Sequence, residues 1–132
     1  MADQELKERY RKAMPLLAEL LHMQKLFTGE VRLADDAGNV NAKALGYIYG
    51  LTDAALQIGK LDVGSEYGLG VLEALIVEFD EPNADALFDY LKSPDDEVRL
   101  MDGVTLGFDD YCQFAKRKGS YPLRWVKCFQ DK

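Results

Sequence analysis

Gly46, Gly50 and Ala54 stand four residues apart, and six of the chain's eleven glycines fall within residues 46–70, GYIYGLTDAALQIGKLDVGSEYGLG. Residues four apart on a helix stack along one side. A glycine inside a helix costs about 0.8–1 kcal/mol against alanine, so a helix with two of them needs a gain elsewhere. Small residues at this interval remove side-chain bulk and let two backbones approach, which supplies that gain. Gly64 and Gly68 repeat the spacing, as do Gly70 and Ala74. The expectation is therefore helix packing at Gly46, Gly50, Ala54, Gly64 and Gly68. The competing reading is a small-molecule pocket or minor enzyme site, where residues 64–70 leave backbone bare and Tyr47, Tyr49 and Tyr67 act as polar walls.

Phosphate cradles fail on spacing. A nucleotide P-loop needs a glycine five positions before Gly59, where Ala54 stands, and a Ser or Thr after Lys60, where Leu61 stands. A dinucleotide fingerprint needs Gly-x-Gly-x-x-Gly after a strand; Gly64, Gly68 and Gly70 give the reverse order after a helical segment.

The rest of the chain is patterned for helices. Leu6, Tyr10, Met14, Leu17 and Leu21 recur every three or four residues, with Pro15 either kinking the helix or ending one near Ala13 and opening another. Residues 30–40 alternate Val31 and Leu33 with polar neighbours ahead of the turn formers Asp36, Gly38 and Asn39, as in a short hairpin or ordered loop. Asn41 is placed to cap a helix ending at Gly59, and Asp62 or Ser65 to cap a second, strongly apolar one reaching Phe79. That second helix is the best candidate for a central one, and the helices from Asn41 and Asp62 together form the expected centre of the fold. A short helix follows over residues 84–92. Ser93-Pro94-Asp95-Asp96-Glu97 then resembles a capped start, giving a brief helix that ends near Asp102-Gly103 and another up to Gly119. Leu123, Trp125, Val126 and Phe129 fit an extended C-terminal segment or a helix, the first being favoured.

Composition sets the class. The chain has 132 residues, 48% of them apolar, which suits one globular domain. No window reaches the ~20 consecutive apolar residues of a membrane span. The N-terminal stretch has no secretory core, and two cysteines, Cys112 and Cys128, make no disulfide scaffold, so a cytoplasmic protein with reduced thiols is expected. The net charge of −7 is segregated: residues 1–29 carry +1, residues 30–110 carry −13 and residues 111–132 carry +5. The acidic middle repels nucleic acid. The basic end, Lys116, Arg117, Lys118, Arg124 and Lys127 with Tyr121 and Trp125 interleaved, is the strongest binding-type cluster, and an acidic protein fits it better than a duplex.

Catalytic groups are scarce. His22 is the lone histidine, within LLHMQ, and reads as a packed or edge residue rather than a base. Ser65, Ser93 and Ser120 sit at turns or caps. Asp36, Gly38 and Asn39 suggest a calcium loop until the sixth residue after Gly38 is read; it is Ala44, not Glu. Asp85 and Asp89, Asp95 and Asp96, and Asp109 and Asp110 are explained by solvated faces and helix N-termini before a metal or acid–base site is needed. No metal, cofactor or catalytic residue is assigned.

The nine residues Gly46–Ala54, GYIYGLTDA, resemble part of a family of small helical immunity proteins that neutralise secreted bacterial toxins. The similarity specifies no site. The expectation is a mainly α chain, a single bundle of about five or six helices over residues 1–132, with room for a β-hairpin near 30–40. Its expected role is a non-enzymatic interaction module of adaptor, regulator or immunity type that binds another protein through charged patches. The apolar 62–79 helix also admits a homodimer.

Overall fold

The structure, a computed structural model, describes residues 2–28, 32–35 and 37–116. It is mainly helical. In chain order the elements are α1 (Ala2–Thr28), α2 (Ala42–Ile58), α3 (Glu66–Asp80), a 3-10 turn (Glu81–Asn83), α4 (Ala84–Lys92) and α5 (Glu97–Lys116). The extended segment expected at the C-terminus lies outside the described residues.

Of the two helices expected at the centre, α2 is the more deeply buried. Ala44, Leu45, Tyr47, Ile48, Leu51, Ala54 and Leu56 are all fully buried. The reason lies in where the charges fall. α2 carries only Lys43 and Asp53, whereas α3 spaces Glu66, Glu73 and Glu78 along a face that stays in water. Asn41 opens α2, its Oδ1 accepting from the Ala44 amide at 3.1 Å. The helix ends at Ile58 with Gly59 as its C-cap, as its composition suggests. Leu61 N donates to Leu56 O at 2.7 Å and Lys60 N to Gln57 O at 2.9 Å, the bond pair of a Schellman close. The left-handed residue in that motif is Lys60, at φ 62°, one position after the glycine.

Of the two alternatives at Pro15, the structure keeps one helix: the proline does not end α1, and Tyr10 before it and Leu17, Leu20 and Leu21 after it are buried in the same core. Gly103 likewise does not end a helix. α5 runs through it to Lys116, so the two helices expected on either side of Asp102-Gly103 are one. Its cap is Asp96, not Ser93: Asp96 Oδ1 accepts from Arg99 N at 3.2 Å, while Ser93 closes α4 by donating its amide to Tyr90 O at 3.1 Å.

Among the described residues there is no strand. The expected hairpin near 30–40 is reduced to one antiparallel bridge, Ala34 to Val40. The ladder stops there because both groups of its next bond are taken: the N–H of the buried Leu33 donates to Asp80 Oδ2 at 3.2 Å, and the Asn41 carbonyl accepts from Leu45 N at 3.0 Å at the start of α2. Asp35 holds the turn, Oδ1 accepting from Ala37 N and Asn39 N at 2.9 Å each, and these bonds keep its carboxyl below the usual range.

Candidate interaction groove

The glycines of α2 meet glycines of α5. A Cβ on Gly46 would collide with the Leu100 carbonyl and one on Gly50 with that of Val104; reciprocally, Gly103 faces the Lys43 carbonyl and Gly107 that of Tyr47. Contact positions rise together along both helices, so α2 and α5 run parallel with their backbones touching. Ala54 is buried one turn further along α2. At the seam the buried Tyr47 hydroxyl donates to Asp110 Oδ2 at 2.6 Å. Tyr47 therefore lies inside the α2–α5 seam and is no pocket wall.

The other glycines have different surroundings. Gly68 is needed by the chain entering α3, since a Cβ there would collide with the backbone of Asp62 and Val63. Gly64 is exposed in that turn, where an added Cβ would meet only Asp62 Oδ1, at 3.4 Å. Gly70 differs from the other helical glycines among the described residues: a Cβ there meets nothing within 4 Å. It carries the propensity cost of glycine without a packing return.

Gly70 opens onto a groove of about 350 Å³ between α1 and α3. The helices run in the same direction there, with Tyr10 against Tyr67 (ring centroids 5.8 Å apart) and His22 Nε2 to Glu78 Oε1 at 3.3 Å. Tyr10, Tyr67 and Val71, with Met14, make the floor. Lys7 and Arg11, one turn apart, form the α1 wall; Glu66, Gly70 and Ala74 form the α3 wall. One wall is cationic and the other anionic. Leu69 and Val77, further round α3, are 39% and 37% exposed, leaving apolar surface beside the groove.

A polar clamp fixes the groove's end. The Tyr10 hydroxyl accepts from Asp62 N at 2.9 Å and donates to Asp62 O at 3.2 Å, and Ser65 Oγ lies 2.9 Å from it. Ser65 also caps α3, accepting from Gly68 N at 3.1 Å. Arg9 reaches across to the last carbonyls of α2, donating to Gly59 O at 2.7 Å. α1 is thereby tied to the α2–α3 turn at residues about fifty positions away.

The remaining candidates are dispersed. Lys116 is exposed at the end of α5; Arg117, Lys118, Tyr121, Arg124, Trp125 and Lys127 lie outside the described residues, as does Cys128. Cys112 is a half-buried free thiol. Tyr49 is half-buried on α2, its hydroxyl titrating above the usual range through burial and then the Asp53 and Asp62 charges. Asp95 accepts from the Tyr90 hydroxyl at 2.7 Å, Asp96 caps α5, and Asp85 and Asp89 are exposed. Among the described residues no three His, Cys, Asp or Glu side chains are grouped to hold a metal ion, and no helix is long and apolar enough to cross a membrane.

The groove residues Lys7, Tyr10, Arg11, Met14 and Gly70 carry no motif. Two signals in the sequence point to them: Lys7 and Arg11 are spaced to share a helix face with Met14, and Gly70 is a helix-interior glycine. Gly103 and Gly107 have the same four-residue interval as Gly46 and Gly50. Comparison with known proteins gives no match: no family model, curated protein or solved structure is similar to this chain.

Proposed function

We propose that this protein is a non-enzymatic interaction module whose α1–α3 groove receives a helical segment of a protein partner. The supporting observation is Gly70. Every buried helical glycine has backbone against it, so the one that faces open space, in the floor-and-wall groove lined by Tyr67, Met14 and Val71, is bare for something outside the described fold. A glycine–alanine wall lets an incoming backbone approach, as Gly46 and Gly50 do for α5. The tyrosines offer large contact area with few rotatable bonds, and the charged walls set orientation.

A small-molecule reading draws on the groove's volume, which falls at the lower end of ordinary ligand pockets. It is the weaker one, because the site is an open trough and not an enclosed cavity. A thermal-shift screen of metabolites checks it; a rise of several degrees with one compound, abolished by Gly70→Arg, favours the pocket.

The groove is tested by comparative co-purification from the cells that make the protein, using wild type, Gly70→Arg and the control Val98→Arg on the far exposed face of α5. Species kept by Val98→Arg and lost by Gly70→Arg support the groove. Identical recoveries with both variants refute it.

A further inference from the structure

The groove's two walls have opposite charge, and that is the property a surface needs in order to bind a copy of itself. Around a two-fold axis each copy offers the same patch, so a complementary interface must contain both members of every charge pair. Lys7 and Arg11 line one side of the trough; Glu66 lines the other, with Glu73 two turns further along the exposed face of the same helix. Facing grooves related by a two-fold bring the α1 cations of one copy to the α3 carboxylates of the other, twice. The segregation of charge along the chain acts in the same sense, since α1 belongs to the slightly basic N-terminal part and α3 to the acidic middle.

The apolar content also fits. Leu69 and Val77 are each more than a third exposed on α3, and Leu6 is 37% exposed on α1, so both helices retain apolar side chains outside the core of their own chain. Gly70 and Ala74 lie between Leu69 and Val77 along the helix and would let the two α3 backbones come close. A partner of single charge would satisfy one wall and leave the other facing like charge or desolvated without a partner, at a cost in affinity.

Resting on the groove as an interaction site, we infer that its occupant is a second copy of this chain, docked so that Lys7 and Arg11 of each protomer face Glu66 and Glu73 of the other around a layer of two α1 and two α3 helices.

Sedimentation of the full chain over a concentration series tests this with paired charge reversals. Lys7→Glu/Arg11→Glu places acids against acids, and Glu66→Lys/Glu73→Lys places bases against bases, so each variant alone is expected to dissociate at roughly tenfold or higher concentration than wild type. Mixed one to one, the two variants restore opposite charge across the interface and form a heterodimer more readily than either associates with itself. Raising salt weakens wild type and the mixture together. Circular dichroism melts confirm that both variants are folded. A wild type that stays monomeric up to millimolar concentration overturns the inference, and so does a mixture that associates no better than its components. If those results coincide with species that Gly70→Arg loses in co-purification, the groove remains an interaction site and only the identity of its occupant is refuted.

Discussion

Replacing Gly50 with alanine adds one methyl group where the backbone of α5 already stands. The new Cβ would collide with the Val104 carbonyl oxygen and lie 2.8 Å from its carbon and 2.9 Å from Phe108 N, whereas ordinary contact begins near 3.4 Å. Neither helix can relieve this with a rotamer, because the obstacle is main chain. The helices must part by roughly an ångström, and a gap of that size forfeits a quarter to a half of each dispersion contact along the seam. Overpacking costs about 1–3 kcal/mol, and a rigid obstacle puts this site near the upper limit. Alanine returns about 0.8–1 kcal/mol in helix propensity. The net loss is about 2 kcal/mol, or a fall in Tm of about 6–10 °C for a chain of this size. Gly70→Ala provides the opposite case: with nothing near its Cβ, it keeps the propensity gain and raises Tm by about 2–4 °C. Urea and thermal melts followed by far-ultraviolet circular dichroism measure both. Equal shifts of the two variants, or a Gly50→Ala protein as stable as wild type, would refute the backbone contact between α2 and α5.

Lys60→Gly relieves a left-handed lysine in the Schellman close of α2, and should stabilise by about 0.5–1 kcal/mol in the same melts, less what glycine adds to the unfolded chain's entropy. Tyr10→Phe removes the hydroxyl that engages both backbone groups of Asp62, for a loss of about 1–3 kcal/mol, and hydrogen exchange should quicken at the amides of Asp62 and Gly68. The Tyr90 and Tyr111 hydroxyls titrate above the ordinary value of 10.0, chiefly through burial, with the Asp95 hydrogen bond second for Tyr90 and the Cys112 charge second for Tyr111. A raised folded pKa means that the native state holds its proton longer than the unfolded chain. Stability is thus full below pH 10, falls as pH rises above it, and levels once the folded hydroxyls ionise. Urea titrations between pH 9 and 11 should show a shallower decline for Tyr111→Phe than for wild type.

Local chemistry made part of this architecture readable. Asn41 precedes the first apolar residue of α2 and caps it, and the four-residue interval of Gly46 and Gly50 marks the side of α2 that α5 occupies. Where several local signals compete, the sequence could not choose among them. Ser93, Asp95 and Asp96 are all capping types; the Tyr90 hydroxyl, which donates to Asp95 and accepts from Asp96 N, fixes the start of α5 through a side chain of the preceding helix. Gly103 carries the ordinary mark of a helix stop, and only its contact with Lys43 on α2 shows why α5 continues through it. Apolar content did not rank the two central helices, because it ignored that Glu66, Glu73 and Glu78 hold one side of α3 in water. The groove was hidden for a simpler reason. Its walls come from helices about fifty residues or more apart in the chain, and nothing in either segment alone records which faces meet.

Gly70→Arg brings these claims together in one molecule, because position 70 is open in the fold and central in the groove. Its melting temperature and its sedimentation profile should be measured on the same sample. An arginine that leaves the protein at least as stable as wild type while abolishing association is the predicted result. A variant that associates as wild type does, or that fails to fold, would contradict the account.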